Sequence, residues 1–559
     1  MKKNKLNLNL AIEPHKYPED FKKIYFKLNL ENRKKYTKWI EEISKSFSND
    51  IDWWGTIPPS RNYIYSDILK NITILETLKK ISKKYKNIEV LSTSKELLDI
   101  IHDWSKRKNL DITSKILKEK SFNLKNIKYI LSSFIFNLVI FFYINIFIKK
   151  INLKNKPPKN IVLIDMFATE SVLNGKIIYN NLDVYLKKKS KKNVFFVPSF
   201  VIEKNIIKIL MIINSLSDKN YIFKEHYLNL KDVIYSCFHF KRKKKFLIKY
   251  KNFKEWDLTK LLHVELKNNI NTFSEQNCLL NYFFSKQLML NKIKIKKVIN
   301  WFENQPIDKG WNMGFRKFHK NTESLGYQGF LNYAQYMNTY PTSYEEKKRV
   351  IPKKIISIGR AYIKLKKEFF PKANIVLGPA LNYNKVFKDF KKTNKIKILV
   401  ILSGIKHLDK ATLEWIIFVL KKDTKINITI KPHPMLKIDN IIDVEKTNLK
   451  NQINISSQVL SELLKKTNIA ICSGPTGGTI ESIAYNCFLI SLVFDPCDAI
   501  NLNSLRLNKK YFKLVSNKEY LYKLVKLIYD KNKNFKSNKK IKNFLFEKIT
   551  DKNMKIFHD

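Results

Sequence analysis

The chain has 559 residues, which at roughly 150 per domain makes three or four units, or two large ones carrying insertions. Its 44% hydrophobic and 13% aromatic content excludes a disordered chain, and 12 Gly with 16 Pro exclude collagen-like, low-complexity and hairpin-rich all-β architectures. Lys+Arg 106 against Asp+Glu 49 gives a net charge of +57, yet only eight of those cations are Arg, the residue that forks onto bases and phosphates, so no nucleic-acid partner is expected.

The Lys excess reads instead as a compositional bias over solvated faces that would also suit anionic lipid or an anionic substrate. Residues 1–17 are Lys- and Asn-rich without an apolar stretch, so no cleavable signal is expected, and residues 1–50 read as a polar, helical extension. A strand at 88–91 precedes a helix at 95–104. Residues 129–148 (YILSSFIFNLVIFFYINIFI) are uncharged between Lys125 and Lys128 on one side and Lys149 and Lys150 on the other. Such a run is long enough to span a bilayer, to lie in its interface or to form a greasy core helix; membrane contact is the expectation. Residues 160–166, 193–197, 298–302 and 355–358 are strand-like.

From residue 395 the alternation becomes regular. KIKILVIL is a strand, Asp409 caps a helix at 410–422, and Ile426, Ile428 and Ile430 alternate. Ser457 caps a helix at 458–466; a strand at 468–472, a helix at 478–485 and a strand at 488–494 follow. Strands spaced by helices form parallel sheets, so the class is α/β with doubly wound domains. The polar stretch 382–394 separates an N-terminal domain, 51–390, from a C-terminal one, 391–535, with a basic tail at 536–559. Five cysteines without a CxxC spacing point to reduced thiols and away from zinc.

Two loops carry the chemistry. Ser473-Gly474-Pro475-Thr476-Gly477-Gly478-Thr479 lies between a strand and a helix holding Glu481. Its glycines admit a ligand close to the backbone, and its hydroxyls and N–H groups suit a phosphate. It is neither a Walker loop nor GxGxxG. One βαβ unit earlier, Lys431-Pro432-His433-Pro434 fixes two phosphate-seeking side chains at a strand end.

KPHP followed by SGPTGGTIESIAYNCFLI resembles the C-terminal domain of GT-B glycosyltransferases, above all bacterial surface-carbohydrate (capsule and lipopolysaccharide) biosynthesis proteins and sialyltransferases with an HP motif. WWGTIPPSRN, WFENQPIDKG, GYQGF and PKKIISIGR resemble the same surface-carbohydrate family. The resemblance implies two Rossmann-like domains facing a cleft. It implies that His433 contacts the donor phosphate and that Ser473, Gly474, Thr476 and Thr479 hold it, with Glu481 near the ribose or base; the loop reading adds Lys431 and Gly477 to the phosphate-binding set. The acidic motif of the sialyltransferases is missing.

Inverting transfer needs a base to deprotonate the acceptor hydroxyl. Glu303 is the candidate, with Asp308 and Asp52 behind it; His433 is the second catalytic candidate. Asn304, Gln305 and Gln328 are candidates for acceptor hydroxyls, and Trp53, Trp54 and Trp301 for stacking on sugar. No metal and no cofactor beyond the nucleotide-sugar substrate are expected. The reading is a glycosyltransferase moving sugar, a CMP-linked acidic sugar first, to a glycan or lipid-linked glycan precursor at the cytoplasmic face of the cell membrane. A CDP-glycerol-type phosphotransferase, a nucleotide-sugar epimerase, and a non-catalytic basic protein binding membrane or nucleic acid are the alternatives.

Overall fold

The computed structural model describes residues 3–117, 124–151, 153, 161–173, 182–186, 193–200, 205–217, 220–247, 251–268, 273–331, 334, 336–390, 392, 396–434, 436, 438, 449–474, 476–494, 502, 505, 507–530 and 539–558. Three parallel sheets follow one another along the chain.

The first is small. β1 (Lys3–Asn9), β2 (Tyr85–Ser92) and β3 (Asp111–Ile116) pair in that order, all parallel. The helix Glu19–Lys45 belongs to the crossover from β1 to β2, and Lys95–Arg107 to that from β2 to β3. Leu6, Leu8 and Leu10 alternate inward onto Phe21, Tyr25 and Ile40 of the long helix, in one core with Trp53 and Trp54. Residues 1–50 are therefore not an extension: their described part supplies an edge strand and a packed helix. The cores do not divide at residue 50.

The second sheet has six parallel strands in the order β11-β10-β9-β8-β4-β5. They are β4 (Val162–Phe167), β5 (Val194–Ser199), β8 (Lys297–Trp301), β9 (Glu323–Gln328), β10 (Lys354–Ser357) and β11 (Ile375–Leu377); a two-residue hairpin, β6 (Asn252–Phe253) and β7 (Trp256–Asp257), intervenes in the chain. β4, β5 and β8 are buried along nearly their whole length, because helices cover both faces, which is why they read as continuous apolar runs.

The third sheet, also six-stranded and parallel, runs β14-β13-β12-β15-β16-β17. Its strands are β12 (Ile398–Ile401), β13 (Ile428–Lys431), β14 (Ile453–Ile455), β15 (Ile469–Ser473), β16 (Phe488–Leu492) and β17 (Phe512–Val515). Numbered within the sheet, this is the dinucleotide-fold order 3-2-1-4-5-6. Two expected caps move. The helix after β12 starts at Lys406, ahead of Asp409, and the helix after β14 spans Leu460–Lys466 with Val459, not Ser457, at its cap.

The chain then returns to the second sheet. Glu547 N donates to Ile358 O at 2.7 Å, Ala380 N to Glu547 O at 2.8 Å, and Phe557 is buried with its ring 5.6 Å from that of Tyr327. The expected basic tail at 536–559 is, where described, a docked segment with Leu545, Phe546 and Phe557 in the core. The architecture is α/β and GT-B-like: two Rossmann-like, doubly wound parallel sheets, with the apolar helix Leu124–Phe147 inserted in the N-terminal half.

Candidate functional site

An open parallel sheet binds ligands outside the carboxyl ends of its strands, where strand order reverses. In the third sheet that point lies between β12 and β15. The loop after β12, Ser403-Gly404, is clamped by Asp409, whose carboxylate accepts from Ser403 N (2.7 Å), Ser403 Oγ (2.8 Å) and Gly404 N (2.9 Å). Asp409 thus shapes the loop rather than capping its helix. The clamp holds Gly404 at φ +82°, and a Cβ there would stand 2.5 Å from His433 Nδ1. Gly474 has φ +65°, and a Cβ on it would lie 3.4 Å from Ser403 Cβ. Three loops, after β12, β13 and β15, converge on one spot. At Gly404 a side chain would collide with the His433 ring, and both glycines hold a left-handed φ that favours glycine.

His433 is half-buried; burial holds its imidazole below the ordinary range, Asp409 opposing and Lys431 adding to that effect. Lys431 is half-buried and donates to Ser457 O at 3.2 Å. Thr476 lies at the loop's turn, its Oγ1 accepting from Gly478 N at 3.3 Å. Two other expected phosphate ligands face elsewhere. Ser473 is buried, with its hydroxyl 2.5 Å from Thr412 Oγ1, and Thr479 is buried in the core of its domain. Pro475 lies outside the described residues.

Glu481 stands one turn into the helix Gly478–Ala484, and burial pushes its carboxyl up to about 7 against the pull of Lys385. Lys385 and Tyr383 belong to the segment joining the two large sheets. Tyr383 is stacked on Phe546 at 4.3 Å, and its Oη is 3.0 Å from where a Gly477 Cβ would stand. The connecting segment thus reaches the Gly-rich loop, with the docked C-terminal segment stacked behind Tyr383. Sequence reasoning passed over Gly404, Asp409, Tyr383 and Lys385 as site residues; the SG pair after KIKILVIL, matching the SG after β15, was the available signal.

In the second sheet the reversal falls between β4 and β8. Glu303 sits just past the end of β8, half-buried, with Trp301 Nε1 donating to its Oε1 at 2.8 Å. Burial raises its carboxyl above the usual range, with Trp301 and Gln305 opposing. Among the described residues it makes no hydrogen bond to the three loops of the third sheet.

The other N-terminal candidates are committed to structure. Asn304 is buried at φ +59°; its amide donates to Glu345 Oε1 (3.0 Å) and accepts from Lys309 Nζ (2.9 Å). Gln305 caps the helix Pro306–Phe318 and accepts from Asn62 Nδ2 at 2.9 Å. Gln328 is fully buried, donating to Thr339 O at 2.9 Å and accepting from Lys366. None of the three presents a free amide to an acceptor. Asp308 is the buried partner of Gln305 in its capping box, held well above the usual carboxyl range first by burial and then by Asp165. Asp52 is buried beneath a bidentate Arg242, both contacts 2.9 Å; burial pushes it up, but Arg242, His239 and Lys245 hold it below the usual range. Trp53 and Trp54 are core, and Trp301 packs on Tyr327 and Phe330. Among the described residues no three His, Cys, Asp or Glu side chains gather as a metal site needs.

No family model and no curated protein matches the chain. Among solved structures it is similar to S. aureus MnaA with UDP, at 11% identity over 69% of this chain and 90% of that one, TM-score 0.37. Acinetobacter baumannii MurG gives 11% identity over 66% and 91%, TM-score 0.35. The UDP-GlcNAc 2-epimerase from Neisseria meningitidis bound to UDP-GlcNAc gives 12% over 70% and 95%, TM-score 0.37. At such scores the fold rests on the strand orders, not on the likeness.

Proposed function

We propose that this protein is a glycosyltransferase that binds a nucleotide-sugar at the loops after β12, β13 and β15 and passes the sugar to a cell-surface glycan precursor at the cytoplasmic face of the membrane. The observation that carries the reading is the convergence of those loops at the strand-order reversal of a 3-2-1-4-5-6 sheet, with Gly404 leaving room for His433. His433 and Lys431 meet the donor's phosphates, with Gly474, Thr476 and Gly477 supplying N–H and hydroxyl groups. Glu481 faces the ribose. Transfer forms a bond from the acceptor oxygen to the anomeric carbon and breaks the bond from that carbon to the phosphate oxygen. The acceptor's proton goes to Glu303, whose raised carboxyl stands at the reversal of the opposite sheet. A CMP-linked acidic sugar is the donor we favour, on the HP and Ser/Thr motifs alone.

A ligand that binds only the folded state raises its melting temperature. A thermal-shift panel of CMP, CDP, UDP, GDP and their sugars therefore tests the donor site, and no shift from any of them would refute it. Nucleotide release that requires a glycan acceptor supports transfer. Isomerisation of the sugar without acceptor would identify an epimerase instead.

A further inference from the structure

The helix Leu124–Phe147 has two apolar faces, and among the described residues only one has a partner. On the inner face Phe136, Ile140, Ile144 and the following Ile148 are buried in the core of the second sheet. Polar bonds fasten the same side along its length. Ser133 Oγ and Asn137 Nδ2 reach Gln276 Oε1 at 2.7 and 3.0 Å, and Asn145 Nδ2 reaches Glu225 O at 3.2 Å. His226 Nε2 lies 3.0 and 2.9 Å from the carbonyls of Ile144 and Ile148, at the helix end. A helix tied down this way is part of the domain, not a segment free to cross a bilayer.

The outer face is a stripe with helical spacing: Leu131, Ile135, Val139, Phe142 and Ile146, exposed by 56%, 58%, 38%, 47% and 67%. At 1.5 Å per residue it runs for about 23 Å. The helix Ile206–Leu216 widens it with Ile207 and Met211, 66% and 53% exposed, and Tyr143 Oη joins the two helices by donating to Asn214 Oδ1 at 2.8 Å. An outward helix face in water is ordinarily polar, yet residues 129–148 contain no Asp, Glu, Lys or Arg.

We infer that this two-helix face lies flat in the interfacial layer of an anionic phospholipid bilayer, with the axis of the helix Leu124–Phe147 in the membrane plane. Charge selects this occupant over a second copy: two chains of net charge +57 repel, whereas anionic lipid attracts them. Exposed Lys149 closes the stripe where phosphate headgroups would lie. The inference deepens the proposed transfer and rests on it for the membrane-borne acceptor, though not for the contact itself.

The test is sedimentation of the full chain with vesicles of phosphatidylethanolamine and phosphatidylglycerol, wild type against a combined Ile135→Ser, Phe142→Ser, Ile146→Ser variant. The three side chains are exposed, so the melting temperature should hold while vesicle partitioning falls at least about tenfold. Equal partitioning of both proteins, or none by the wild type, overturns the inference. So does a lipid-free dimer that the variant abolishes, which would make a second copy the occupant. Nucleotide binding is read on both proteins: if it persists while vesicles are ignored, the membrane face falls and the donor site stands, and the reverse pattern removes the donor site alone.

Discussion

Replacing Gly404 with alanine should damage the proposed donor site through His433 without touching any ligand. The new Cβ would meet His433 Nδ1 at 2.5 Å and Cγ at 2.7 Å, far inside van der Waals contact, so the imidazole must swing away. An L-residue at φ +82° also costs roughly 1–2 kcal/mol of stability. Losing one hydrogen bond to a charged group costs about 1.5–3 kcal/mol, which is roughly ten- to a hundredfold in affinity. The two effects separate by method: urea unfolding reads the first, and calorimetric titration of the nucleotide found in the thermal-shift panel reads the second. In the background of His433→Ala the ring is gone and only a 3.2 Å contact to the remaining Cβ is left, so Gly404→Ala should then cost stability but almost no further affinity. Wild-type affinity in the single variant, or losses that simply add in the double variant, would refute the reasoning.

His433→Ala and Thr476→Ala should each weaken nucleotide binding by about 1–3 kcal/mol in the same titration, and unchanged affinity in both would end the donor-site assignment. Glu345→Ala should lower unfolding free energy in urea by about 3–5 kcal/mol, because it strands buried Arg61 and Lys309, whose contacts to Glu345 are 3.0 and 2.7 Å. Glu481→Gln should change the pH dependence of stability. Burial raises the folded carboxyl to about 7, so the wild type is stabilised by that proton below the ordinary carboxyl range and loses the contribution as pH rises toward 7. Melting temperatures from pH 4 to 8 should therefore fall less steeply in the variant than in the wild type, and parallel curves would count against it.

The third sheet was the most legible part, because β12, β13, β15 and β16 are short apolar runs separated by amphipathic helices, and periodicity finds such segments. β9 escaped notice: ESLGYQ has no alternation, being buried on both faces through polar Ser324 and Gln328 as well as apolar residues. β1 escaped because Leu6, Leu8 and Leu10 alternate amid Lys and Asn, a signal that the overall bias toward those residues disguises. In the loops after β13 and β15, motif reading gave positions but not the direction of each side chain. Ser473 shares a loop with Thr476, yet strand alternation turns its hydroxyl inward to Thr412. Asn304, Gln305 and Gln328 looked available because nothing local reveals their partners: Glu345, Asn62 and Lys366 lie tens to hundreds of positions away in the chain.

The return of residues 539–558 to the second sheet imposes an order of assembly. Domains generally fold as they leave the ribosome, N-terminal first. Here Tyr327 awaits Phe557, Ile358 awaits Glu547, and Lys297 awaits the carbonyl of Ile556 at 3.2 Å, so the earlier domain stays unsealed until the later one has been synthesised. During that interval the nascent chain carries an open apolar seam where Leu545, Phe546 and Phe557 later pack. A chain truncated before residue 539 would keep every strand of the third sheet yet lose the contacts that Glu547, Ile556 and Phe557 make with the second.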